Sequence, residues 1–157
     1  MGLYASNIHR DYYSALHYFF EGIEAAHRCH YKELEAILLG NISSVYFLKD
    51  DPAGLTYSLQ IYELGHQLNS AYLIFIGALN ASYMYYLLHE YDKALPYIQE
   101  AEFIMKQNEY YNQGNVYAIY GMIEFAKGNR EQAVEYYKKG LSLNDINQTS
   151  YKALLFN

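Results

Sequence analysis

Apolar side chains recur along this chain at spacings of three and four, as in Leu55, Leu59 and Tyr62 or Ala94, Ile98 and Ala101. That is the period of a helix with one buried face, and no comparable stretch alternates as a strand would. Polar punctuation divides the pattern into helices predicted over 11–28, 31–48, 52–68, 70–88, 91–107, 109–127, 130–143 and 149–156. The breaks carry capping chemistry. Asp51 precedes Pro52 as an N-cap precedes a first-turn proline, Gly128 is placed to end a helix, and Asn129 with Gln132 resembles a capping box. Helices joined by turns this short pack as antiparallel neighbours.

Three segments align without gaps: LGNISSVYFLKDDPAGLTYSLQIYELG, ALNASYMYYLLHEYDKALPYIQEAEF and YAIYGMIEFAKGNREQAVEYYKKGLS. Their equivalent residues Leu55, Ala94 and Ala133 stand 39 apart, and Ala15 begins a partial match 40 residues before Leu55. A fixed period signals a solenoid, in which each unit buries its apolar face against its neighbours. The expected organisation is one domain over 1–157: a partial unit 1–30, complete units at about 31–69, 70–108 and 109–147, and a partial helix in 148–157.

Composition narrows the function classes. A net charge of −6 with only eleven scattered Lys and Arg residues argues against a phosphate-backbone partner. No apolar run is long enough for a membrane span or a signal peptide, so the reading is a soluble, cytoplasmic chain. The single Cys29 excludes an internal disulfide. The 21 tyrosines imply many half-buried surfaces, because each ring joins an apolar body to a hydroxyl that needs a partner.

The repeat resembles the tetratricopeptide repeat. Leu39, Ile42, Ser43 and Tyr46 fill its first-helix pattern and Leu55, Leu59 and Tyr62 its second. Ala78, Ala81, Ser82 and Tyr85 with Ala94, Ile98 and Ala101 repeat it, as do Tyr117, Tyr120 and Gly121 with Ala133, Tyr137 and Gly140. Glu124 replaces a tyrosine, the closing proline is missing, and the period is 39 where the family has about 34. This long variety looks like the repeats of bacterial signalling proteins: peptide-pheromone receptors, response-regulator phosphatases and sensory regions of diguanylate cyclases. The resemblance implies an all-α, right-handed superhelical solenoid of antiparallel helix pairs that binds a protein or peptide without doing chemistry.

In that family the first helices line a concave groove. The equivalent positions here are Asn41, Ser44, Phe47 and Leu48, then Asn80, Tyr83, Tyr86 and Leu87, then Ile119, Met122, Phe125 and Ala126. The surface is aromatic and amide-bearing without Lys or Arg, which disfavours a clamp on a peptide carboxylate and favours a partner with apolar anchors. Against this stands a plainer reading: asparagine at the repeat position holds neighbouring helices, and an aromatic stripe at helical spacing is packing.

A rival from another class rests on Glu24 with His27 and Glu63 with His66, since a carboxylate and an imidazole three apart recur in di-metal bundles. A solenoid sets these helices side by side, and repeat equivalence explains the coincidence without a metal. Cys29 and His30 beside His27 have no second ligand pair at zinc spacing. No phosphate loop, nucleophile elbow or zinc-protease motif occurs, so no cofactor or catalytic residue is nominated. The sequons at Asn41, Asn80 and Asn147 carry no function in a cytoplasmic chain.

The ends look cut. Residues 2–8 read as the tail of a first helix, and Tyr151, Leu154 and Leu155 as one that stops halfway, whereas solenoids finish with polar caps. The expectation is a segment of a longer protein, or copies that dimerise through a terminal face, which keeps a structural oligomerisation role open beside binding.

Overall fold

The computed structural model describes residues 2–108 and 113–143. Among the described residues seven α-helices follow one another: α1 (Gly2–Arg28), α2 (Lys32–Leu48), α3 (Leu55–Gln67), α4 (Ala71–Leu87), α5 (Tyr91–Gln107), α6 (Gln113–Ala126) and α7 (Arg130–Leu143). A single 3-10 turn, Pro52–Gly54, leads into α3, with the Asp51 side chain accepting from the Ala53 N–H at 3.0 Å. The described residues contain no strand. The helix expected over 149–156 and the first residues of that expected over 109–127 lie outside the described residues.

One expectation is corrected at the N-terminus. Where the repeat register broke the chain between 8 and 11, α1 runs unbroken from Gly2 to Arg28. No glycine or proline lies between Gly2 and Gly22 to stop it, so backbone hydrogen bonding carries straight through.

Each helix packs on the next in sequence, and α2, α4 and α6 also pack on one another as a row. The alternate helices α1, α3, α5 and α7 form a second layer that meets the first along its length. Core residues come from both layers. Ala94 and Ala133, the small residues of the repeat, are wholly buried, as are Phe75, Met84, Ile98 and Ile123. Glycines set the closest approach: a Cβ at Gly77 of α4 would lie 2.5 Å from the Tyr62 backbone nitrogen of α3, and one at Gly65 2.6 Å from that of Ile74.

The turns repeat as strictly as the helices. His30, Asp50, Asn69, His89 and Gly128 all have positive φ, between 50° and 89°. After each comes a backbone N–H bonded five residues back: Tyr31 to Ala26, Asp51 to Tyr46, Ser70 to Gly65, Glu90 to Tyr85 and Asn129 to Glu124, at 2.9–3.0 Å. This is the left-handed C-cap that satisfies the last helical carbonyls. Gly128 is one of the five and ends α6 as expected, while four side-chain-bearing residues take the same conformation.

Candidate functional site

The row α2, α4, α6 carries the positions expected to line a groove, and the structure sorts them by place in the row. On α2, Ile37, Asn41, Ser44 and Leu48 form one exposed stripe, with Ile37 57% and Leu48 67% accessible. One repeat later the equivalents Asn80 and Tyr83 are buried, and Ile76 and Leu87 half-buried. Later still Ile119 is buried and Met122 half-buried, while Ala126 is exposed. The face is the same in each helix. On α4 and α6 the preceding helix of the row covers it; among the described residues no inner helix stands before α2.

Asn80, Tyr83 and Ile119 therefore correct the groove: all three lie in the interior. Asn80 donates from Nδ2 to Ser43 Oγ at 2.8 Å, Ser43 shares a 2.9 Å hydrogen bond with Ser58, and Ser58 bonds the Gly54 carbonyl at 2.9 Å. These polar atoms sit between helices where an unpaired one would be costly, so the chain of bonds fixes how α2, α3 and α4 seat on one another. Tyr83 packs its ring on Phe47 with centroids 4.4 Å apart and donates its hydroxyl to Asp50 at the end of α2. Burial first, then that hydrogen bond, pushes the Tyr83 phenol well above the ordinary tyrosine range. Tyr86 stacks beside it at 6.1 Å and is half-buried. Phe125, near the end of α6, is 59% exposed.

A second polar centre lies between α5 and α6. Glu102 accepts from Tyr117 at 3.0 Å and Tyr120 at 3.2 Å and pairs with Lys106 at 2.9 Å. Burial opposes its charge, but the hydrogen bonds from Lys106 and the tyrosines outweigh it and hold Glu102 below the ordinary carboxylate range. Tyr136 stacks on Tyr120 at 4.9 Å, and the Lys139 ammonium lies 4.2 Å from the Tyr117 centroid. Tyr83, Tyr117 and Tyr120 are thus joints between helices, each placing its hydroxyl on a carboxylate at the edge of the core.

The histidines singled out for metal have other neighbours. His27 Nε2 lies 2.9 Å from Glu35 of α2, and His66 Nε2 lies 3.5 Å from Glu100 of α5. Among the described residues no three His, Cys, Asp or Glu side chains converge to hold a metal ion. None of the helices there is long and apolar enough to cross a membrane.

Sequence reasoning missed a cavity of about 450 Å³ between α1 and α3, floored by α2. Phe20, Ile23 and His27 form one wall, Tyr57 belongs to the other, and Glu35 and Leu39 lie beneath. The signal was present in the repeat, since Ile23 stands 39 residues before Tyr62.

Compared with known proteins, the chain matches no family model, no curated protein and no solved structure.

Proposed function

We propose that this chain is a protein- or peptide-binding module of tetratricopeptide-like architecture, and that the open face of α2 receives an amphipathic helix. The observation that carries the reading is the exposed stripe Ile37, Asn41, Ser44 and Leu48, whose equivalents in α4 and α6 are largely occupied by the helix before them. The molecule itself supplies the template for the occupant. α2 offers α4 a small polar residue, Ser43, and an aromatic one turn later, Phe47, against Asn80 and Tyr83. A partner helix with a small residue and an aromatic at that spacing would set the small residue against Asn41, as Ser43 lies against Asn80, and the aromatic over Ser44. Helix-in-groove recognition through apolar anchors works on this principle.

The resemblance further supports a sensory or interaction segment of a cytoplasmic bacterial signalling protein, with any catalytic domain elsewhere in that protein. Self-association through the same face is the competing reading, because the exposed stripe of α2 is the repeat equivalent of surfaces that are buried between helices within the molecule. Selection from a library of helical peptides tests both. Selected helices should bind the wild-type chain and lose at least about tenfold in affinity against Ile37→Glu/Leu48→Glu, with unchanged circular dichroism. Equal affinity for both proteins overturns the reading. A concentration-dependent dimer abolished by the same pair would assign the face to a second copy.

A further inference from the structure

The cavity between α1 and α3 has a filled counterpart one repeat further on. Between α3 and α5 the Tyr62 ring projects from the position equivalent to Ile23, meets Tyr97 edge-on at 5.2 Å and donates its hydroxyl to Glu100 at 2.5 Å. His66 lies against the same ring at 4.6 Å, its Nε2 3.5 Å from Glu100. Of these parts the first groove keeps the histidine in register, and it has a carboxylate and a stacked tyrosine from other positions. His27, 39 residues before His66, holds a carboxylate, Glu35, at 2.9 Å. Tyr57 stacks on Tyr46 at 5.4 Å, much as Tyr97 stacks on Tyr85 at 5.5 Å. What is absent is a ring at the position of Tyr62, where Ile23 stands; Phe20 lies against Tyr57 from one side, with centroids 5.7 Å apart.

We infer that the α1–α3 cavity binds a phenolic ring, supplied by a tyrosine side chain of a partner peptide, with its hydroxyl donated to Glu35. Phe20, Ile23, Leu39 and Tyr57 offer the ring an apolar surround, and about 450 Å³ lies within the range of ligand pockets. The carboxylate comes from α2 here and from α5 in the filled groove, yet in both it is paired with the histidine of the same repeat position. An acceptor-only carboxylate beside an apolar wall selects a phenol over a plain benzene ring. The site shares no residue with the open stripe of α2. It rests on the peptide-binding reading only for the source of the ring.

The test uses p-cresol and toluene as probes, with methyl resonances of Ile23, Leu39 and Leu64 followed by nuclear magnetic resonance on the whole chain. Saturable shifts are expected with p-cresol, about fivefold tighter than with toluene. Glu35→Ala should remove that preference, and Ile23→Tyr should fill the cavity and abolish binding of both probes. Acetyl-Gly-Tyr-Gly-amide should reproduce the p-cresol shifts, and its Gly-Ala-Gly counterpart should not. Absence of saturable shifts, or shifts that persist unchanged in both variants, overturns the site while leaving the α2 reading to its own test. Self-association lost in Ile23→Tyr would show that a second copy supplies the ring, and would overturn the peptide as its source.

Discussion

At the scale of single residues, partners decide what each side chain does, and its identity decides less. Asn41 and Asn80 occupy the same repeat position, yet one is exposed and the other donates to Ser43 in the interior. Their shared letter could not distinguish them, since the difference lies in whether a helix precedes them in the row. Ala94 and Ala133 were legible, because a small residue at a fixed period marks a close contact wherever it falls, and both are wholly buried. Glu102 offers a test of the polar joints. Its carboxyl is held below the ordinary value near 4.5, so the charged form is favoured by folding. The stability it contributes is present above that value and is lost as pH falls through its lowered folded value. Glu102→Gln should therefore flatten the acid limb of a stability-against-pH curve below about pH 4.5 relative to wild type. An unchanged acid limb would remove the role assigned to it.

At the scale of elements, helix boundaries were largely readable because the chemistry that ends a helix is local. Asp51 with Pro52, Ser70 and Gly128 all act where their types suggest, and Ser70 accepts from the Leu73 N–H at 3.4 Å. The left-handed turn residues are all of types enriched in that conformation, His, Asp, Asn and Gly, but type alone does not single them out from the other His, Asp and Asn residues of the chain. Only their recurrence at 30, 50, 69, 89 and 128 reveals them. A side chain there is strained relative to glycine, so His30→Gly should raise stability by about 0.5–1 kcal/mol, after its greater chain entropy is set against the relief. A drop in urea midpoint would contradict this. Helix contact gives the opposite case: Gly77→Ala would press a methyl to 2.5 Å from the Tyr62 backbone, where neither helix can yield locally. A loss of about 1–3 kcal/mol is expected in urea melts. A neutral result would mean that α3 and α4 are not so close.

At the scale of the whole molecule, α4 seats on α2 and α6 on α4, and among the described residues the equivalent face of α2 is exposed. Period and resemblance made the row of inner helices legible, but they placed the binding surface across all three. Packing buries part of that surface, since Tyr83, Asn80 and Ile119 fill the space between the helices while the equivalent stripe of α2 is exposed. The α1–α3 cavity has the same origin, a repeat position where one ring was replaced by a smaller side chain. The most direct measurement is a nuclear magnetic resonance map of a selected amphipathic helix bound to the whole chain. Shifts centred on Ile37, Asn41, Ser44 and Leu48, absent in Ile37→Glu/Leu48→Glu, are the predicted result. Shifts that spare α2 and gather on other helices would contradict the account.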